Sequence, residues 1–475
     1  MNDFKDEMVT IKRGIASDIP LVAELLDEQT LLGQYSQNLY RGETSSVYFG
    51  RQNVFKEEVR NYLDGCFSPD EIEAGNIDWA SAWTVNISDH HLPITNPFLI
   101  SANIISSLGH LTDKAPKGMI VLSDSGVPFN NRMFGRGFKF NGHQLNVIPN
   151  RNRRKIVYNN DPIESFPLLE HARMLELPSS YDDFIEEIER KLYQAVDFPG
   201  MRGGMEHISR INHRLWPCVF EDSLQEDVPD VFYVPNEEVC ANMLKRFLSE
   251  PTNIFTRLLC ERDLRDQVTI MFSGINGCWD ADEKHGTHFF WGIDEKGVAL
   301  RLSLEGDYLI SHETEYRLEL NADAIQEALE QREIYPGMFL VYGICVFHCG
   351  ITPLVGFGSL NYLQTMKEVW ASLLEPIDRE EANRIMQIDT SGFICGPIVT
   401  WEAHDDGVRE LHLLDILHKG GLTREYLDRL CNLPFHQILR PALPDIYNLY
   451  VHVEHRENIN VNGADLMKEN MDWLK

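Results

Sequence analysis

Ile334-Tyr-Pro-Gly-Met-Phe-Leu-Val-Tyr-Gly343, continued by Ile344-Cys-Val-Phe-His-Cys-Gly350 and by Ile351-Thr-Pro-Leu-Val-Gly-Phe-Gly-Ser-Leu-Asn-Tyr-Leu-Gln-Thr-Met-Lys-Glu-Val-Trp370, is the stretch on which the fold turns. Pro336-Gly337 is a turn signal. The apolar run after it lacks helical periodicity and contains Gly343, so it reads as a buried strand followed by a bend. A second short strand covers residues 351–355. Gly356-Phe-Gly358 lets the backbone turn, with a left-handed dihedral as the expected reason for glycine there. From Ser359 the residues Leu360, Leu363, Met366, Val369 and Trp370 fall on one helical face. The unit is strand, glycine turn, helix. Amides at the start of such a helix bind anions or carboxylates, and Ser359, Asn361, Tyr362 and Gln364 place polar side chains beside them. The same turn also serves a purely structural role in many proteins.

Earlier in the chain the same grammar recurs. Ala82-Trp-Thr-Val-Asn-Ile87 reads as a buried strand ending in the polar turn Ser88-Asp-His-His-Leu-Pro-Ile-Thr-Asn-Pro97, with a helix over 97–110. Gly118-Met-Ile-Val-Leu122 is a parallel-sheet strand running into Ser123-Asp-Ser-Gly-Val-Pro-Phe-Asn-Asn131. Strand, polar turn, helix, strand, polar turn is the βαβ pattern, and ligands of such sheets sit beyond the carboxyl ends of the strands.

Around these units the chain divides into a helical lead-in over 1–75, a first part of an α/β core over 76–200, a helical insertion over 201–265, a second part of the core over 266–375 and a helical extension over 376–475. Within the lead-in, Ser17-Asp18 before Pro20 reads as an N-cap, and a second helix runs from about 53 to 63. Asn141-Gly142 is the turn of a hairpin across 138–148. Strands are expected at 268–272, 287–293, 298–304, 316–320 and 394–401, with Asp294-Glu-Lys-Gly297 as a hairpin turn. Helices are expected at 168–191 with a break at Pro178, at 321–331, 408–418 and 423–431, and a solvated tail after His452.

The 475 residues carry 43 basic and 73 acidic side chains, a formal charge of -30, which repels nucleic acid and anionic membranes. Arg151, Arg153, Arg154 and Lys155, with Arg132, Arg136 and Lys139 before them, form one basic island able to receive a phosphate or carboxylate or to stand as a solvated loop. Nine cysteines without paired spacing beyond Cys345-x-x-x-Cys349 indicate a reduced compartment. No apolar leader or long apolar run is present, so the expectation is a cytoplasmic protein without a membrane partner. The partner expected is a small-molecule substrate rather than nucleic acid, with room for a homo-oligomer.

Asp89 beside His90 and His91 supplies a candidate general base, because an imidazole held by a carboxylate titrates near neutrality, although adjacent residues project differently. Asp124 offers a second catalytic carboxylate. Asn96, Ser123, Ser125, Asn130, Asn131 and Arg136 offer hydroxyl, amide and guanidinium groups for a polar substrate, or ordinary Asx-turn chemistry. His285-Gly-Thr-His288 and Cys345, His348 and Cys349 match no familiar zinc spacing and read as core residues; no metal is expected. Neither a P-loop nor a dinucleotide fingerprint is present, so the cofactor is left open.

Four short motifs give the chain a likeness to a known family: Thr84-Val-Asn-Ile-Ser-Asp-His-His-Leu-Pro-Ile-Thr-Asn-Pro97, Met119-Ile-Val-Leu-Ser-Asp-Ser-Gly126, Tyr335-Pro-Gly-Met-Phe-Leu340 and Thr352-Pro-Leu-Val-Gly-Phe-Gly-Ser-Leu-Asn-Tyr362. Over residues 50–375 the chain resembles, distantly, the cysteine-adding ligase family of bacillithiol synthesis. His90-His91 stands where that family has glutamines, Ser123-Asp-Ser-Gly126 replaces its Glu-Asp-His-Asp run, Asn361 lies near its glutamate, and its long heptad segment has no counterpart. The resemblance implies an α/β, Rossmann-like parallel-sheet core and a ligase-like condensation of a small amine or amino acid with a polar small-molecule acceptor. The alternative is a non-catalytic small-molecule-binding or scaffold protein on the same fold.

Overall fold

Short buried runs of β-branched and aromatic residues make the sheet around which the protein is built. A computed structural model describes residues 2–26, 28–40, 46–111, 117–201, 203–280, 285–404 and 407–468. Five strands, β1 (Thr84–Asn86), β2 (Met119–Ser123), β3 (Val231–Pro235), β4 (Thr352–Gly356) and β5 (Gly392–Cys395), form one parallel sheet in the order β5-β4-β1-β2-β3. The register pairs Thr84 with Thr352 and Asn86 with both Leu354 and Val121, and β2 aligns Met119 through Ser123 with Val231 through Pro235. The molecule is thus a mixed α/β protein. From β1 the chain adds β2 and β3 on one side, then returns to add β4 and β5 on the other. Between β1 and β4 the direction of building reverses, and a crevice opens beyond the carboxyl ends of strands at such a point.

Four helices prepare that crevice: α1 (Pro97–Ser107), α2 (Asn236–Leu248), α3 (Met338–Tyr342) and α4 (Phe357–Leu374). Asn96 caps α1 through Phe98 N, 2.9 Å away. The residue before each of α2, α3 and α4 makes no side-chain cap hydrogen bond to the helix amides. α4 begins directly after β4, in accord with the strand, glycine turn, helix reading. The reason for the glycines is different from the expected one. Gly356 has φ -92°, outside the left-handed region, and a Cβ on Gly358 would lie 2.7 Å from the Tyr450 hydroxyl. Close approach requires these glycines, not dihedral freedom.

Several other expectations fail for identifiable reasons. Residues after Gly337 form α3 and then a π-helix, Gly343–His348, rather than a strand. Phe339 through Phe347 are all buried, so a helix covered on every face shows no amphipathic period. Conversely, β3 lies inside the segment read as a helical insertion; its five buried residues were masked by the helices on either side. Residues 268–271 belong to the helix Arg262–Met271, with Phe272 at its C-cap; Leu264 and Val268 are buried one turn apart and Ile270 is exposed. Trp401–His404 and Gly407–Glu410 form an antiparallel hairpin, so the expected helix starts only at Leu413. The run at 298–304 is split into two short strands, Ala299–Leu300 and Ser303–Glu305, and the strand expected at 394–401 is met only by the end of β5, which runs Gly392–Cys395. Pro20–Leu25 is helical without a side-chain cap; Asp18 instead accepts from His455 Nδ1 at 2.8 Å. The helix Gly463–Lys468 buries Leu466 and Met467, so the segment after His452 is not simply solvated; residues 469–475 lie outside those described.

The hairpin with its Asn141-Gly142 turn forms as expected, as do the helices at 168–174, 182–196, 322–330 and 424–431. Among the described residues, no helix is long and apolar enough to cross a membrane.

Candidate functional site

Where β1, β2, β3 and β4 end, their following turns enclose a cavity of about 570 Å³. Asp89 and His90 enter it from the turn after β1, Asp124 from the turn after β2, Asn236 and Glu237 from the first turn of α2, and Ser359 and Tyr362 from the first turns of α4. A parallel backbone bridge between His90 and Asp124 holds the first two turns together, with His91 N donating to Asp124 O at 2.7 Å and Asp124 N donating to Asp89 O at 2.9 Å. The opposite wall comes from residues 276–278 and 285–287, Trp291 and the aromatic run Tyr335 to Tyr342. The three polar turns picked out along the sequence therefore meet in one place.

Burial sets the electrostatics. Asp89 is 1% exposed; it accepts from the Tyr233 hydroxyl and from Asn103 Nδ2 at 3.2 Å. Burial raises its pKa to about 6 against the lowering effect of those donors, so its carboxyl is poised near neutrality. Glu237 is fully enclosed and accepts from Ser125 N at 2.8 Å, Ser125 Oγ at 2.6 Å and Gly126 N at 3.1 Å. Burial, then the charge of Asp124 and a hydrogen bond to it, push the Glu237 carboxyl well up. That shift favours the protonated form of Glu237 beside Asp124. His90 is held neutral mainly by burial, opposed by Asp124, and its Nδ1 has no partner. Asn236 Oδ1, also buried, likewise has none. Among the described lining residues there is no lysine or arginine.

The two histidines separate cleanly. His91 Nε2 lies 3.0 Å from Met205 O, which can only accept, so Nε2 carries the proton and Nδ1 accepts from Ser123 Oγ at 2.7 Å. Both nitrogens are used, and burial lowers its pKa to about 4. His91 and Ser123 brace the turn after β2 and do not line the cavity. Ser125 acts from behind through Glu237. Asn96 is occupied as a helix cap.

Asn131 makes an Asx turn, with Oδ1 accepting from Met133 N at 2.8 Å and Nδ2 donating to Pro128 O at 2.9 Å, while its side chain also supports the His90 imidazole. Asn130 is exposed, and Arg136, at φ 76°, turns to Ile148 O, so neither lines the cavity. On α4, Asn361 donates to Asp18 O at 2.9 Å and Gln364 to Glu368 at 2.7 Å, both away from the cavity. Ser359 Oγ and the Tyr362 hydroxyl are 2.8 Å apart, and Tyr362 meets the Tyr342 hydroxyl at 3.2 Å.

The chain matches no protein-family model and no curated protein.

Residues missed along the sequence are the ones supplied by misread elements. Asn236 and Glu237 follow β3, whose signal was the run Val-Phe-Tyr-Val-Pro235, five residues with strand chemistry ended by a proline. Tyr335 sits on the short strand Ile334–Pro336 just before the Pro336-Gly337 turn, and Met338 and Tyr342 on the segment after it, which reads as a strand and is helical. His285, Thr287 and Trp291 belong to a wall joined to the sheet only by tertiary packing. Gly286 fits that wall because a Cβ on it would lie 1.7 Å from Cys278 O.

Proposed function

We propose that the protein is an enzyme of small-molecule metabolism that binds a primary amine or amino acid by its ammonium group and joins the nitrogen to a polar acceptor. The observation that carries this reading is the charge of the cavity: three carboxyl groups, Asp89, Asp124 and Glu237, face four aromatic rings, Trp291, Tyr335, Tyr342 and Tyr362, with no cationic side chain among the described lining residues. Such a site attracts a cation through charge-assisted hydrogen bonds and ring faces, and repels a phosphate or an isolated carboxylate. The strand order, with building reversed at β1, supports a Rossmann-like core whose crevice is this cavity. The likeness to an amine-condensing ligase family points the same way.

In this reading Asp124 receives the ammonium, and Glu237 adjusts the charge by holding its proton. His90, neutral and with Nδ1 free, takes one proton from the ammonium. The freed lone pair forms the new bond to an electrophilic carbon of the acceptor, and the displaced group leaves with the electron pair and takes the second proton of the attacking nitrogen, so that the product nitrogen is neutral. The first turn of α4, which carries Ser359 and Tyr362 into the cavity, lies where the acceptor's developing negative charge would fall. The nine cysteines are all free thiols, in keeping with a reducing cytoplasmic setting.

A panel of primary amines and α-amino acids, each beside its N-acetylated form, tests the reading by thermal shift and calorimetry. At least one free amine should raise the melting temperature while its acetylated partner does not. Stabilisation by phosphates or carboxylates in place of amines would overturn it.

A further inference from the structure

We propose that the amine taken by the cavity is an arylalkylamine with no carboxylate beside its nitrogen, its ring stacked on Trp291. The inference rests on the amine reading above and narrows it to a substrate class.

The first observation is Trp291 itself. It lines the cavity and is partly exposed, and its indole makes no hydrogen bond and meets no other ring among the described residues. Every other described tryptophan is engaged. Trp79 and Trp83 lie against each other at 5.5 Å, Trp370 stacks on Phe339 at 5.0 Å, and Trp216, Trp279 and Trp401 donate to backbone carbonyls. A large ring face left free on the wall of a cavity is a platform for another ring.

The second is where that face stands relative to the carboxyl groups. Trp291 and Tyr335 are directly opposite on antiparallel strands, so their side chains project to one face, with Cβ atoms about 5 Å apart. Tyr335 in turn reaches the turn after β2. Its hydroxyl donates to Gly126 O at 3.3 Å, and a Cβ on Gly126 would lie 2.7 Å from Tyr335 Cε2 and 3.2 Å from Asp124 Oδ1. Carboxylate, tyrosine ring and indole therefore follow one another along the wall. An ammonium at Asp124 with an arm of about two or three carbons places a ring on Trp291 at that spacing.

The third sets α-amino acids apart. Asp124 N donates to Asp89 O at 2.9 Å, and the Glu237 carboxyl hydrogen-bonds to the Asp124 side chain, so the three acidic residues share one end of the cavity. A carboxylate on the carbon that bears the nitrogen would enter beside Asp89 and Asp124 and be repelled. An amine without it meets only attraction there.

Phenethylamine tests the assignment on the full chain by calorimetry, beside two controls that each change one feature: 2-cyclohexylethylamine, which lacks the aromatic ring, and phenylalanine, which adds the carboxylate. Phenethylamine should bind about two- to tenfold more tightly than the cyclohexyl amine, and about tenfold or more tightly than phenylalanine. Its lead over the cyclohexyl amine should vanish in Trp291→Ala and largely survive in Trp291→Phe, which keeps a ring. Equal affinity for the two amines, a lead that persists in Trp291→Ala, or phenylalanine binding as tightly as phenethylamine would overturn the proposal. Methylamine separates this result from the amine reading: if it binds and phenethylamine does not, the substrate class falls alone, and if no amine binds, both fall.

Discussion

The cavity at the strand ends and a groove of about 300 Å³ beside the π-helix lie along the same pair of helical segments and are built on opposite principles. Tyr342 lines the first and Gly343 the second; Tyr362 lines the first and Trp370 the second. At the strand ends, buried carboxyl groups have raised pKa values and, among the described lining residues, no lysine or arginine beside them. At the far end, Arg51 and Arg257 have carboxylate partners, Asp378 is held by a helix cap, and the buried indole N–H of Trp370 has no partner. The difference shows how one fold makes room for a ligand: strand ends present turns, and turns accept polar side chains at little cost, whereas helix crossings present packed aromatic faces.

The comparison is broken most forcefully at Asp89. Its carboxyl is pushed up to about 6 from an ordinary 3.8, so between those values the folded protein holds a proton that the unfolded chain releases. The resulting stability is fully present below the unfolded pKa and is lost as pH rises through the folded one, by about 3 kcal/mol at about 1.4 kcal/mol per pKa unit. His91, lowered to about 4, and His348, lowered to about 3, carry the opposite sign: their contributions are present above the ordinary histidine pKa and fade as pH falls. Only the difference between wild type and Asp89→Asn isolates the carboxyl. In urea melts from pH 4 to pH 7 that difference should shift against the wild type as pH rises, and a flat difference would refute the protonated Asp89.

Next in size is Asp124→Asn. Losing a charged hydrogen-bond acceptor costs about 1.5–3 kcal/mol, so affinity for the best amine should fall about 10- to 100-fold. An unchanged affinity in calorimetric titration would remove Asp124 from the amine site, and the contrast between the two regions would collapse.

How much of this contrast was legible in the sequence depends on the element. Turns after β1, β2 and β4 declared themselves through apolar strands ending in polar residues, and five of the candidate side chains, Asp89, His90, Asp124, Ser359 and Tyr362, do line one cavity. Others of the same residue types, such as Ser123 and Asn96, are consumed by local hydrogen bonds, because a polar residue in a turn serves the backbone as readily as a ligand. The partner of Asp124 was invisible, since Glu237 follows a strand only five residues long set among helices. The groove was beyond reach for another reason: Phe255, Gly343 and Trp370 are far apart in the chain, and each looks like ordinary core.

The smallest effect is expected at Tyr362→Phe, which removes one hydroxyl from the Ser359–Tyr362–Tyr342 chain. Tyr362 and Trp370 are eight residues apart on α4, about 12 Å at the rise of a helix, and Tyr342 and Gly343 are consecutive residues across the start of the π-helix. The Tyr342–Tyr362 contact at 3.2 Å is where a displacement of either segment would reach the first cavity. The loss of about 1 kcal/mol should appear as roughly fivefold weaker amine binding if the hydroxyl faces the ligand, and as lower stability with unchanged affinity if it only braces α4.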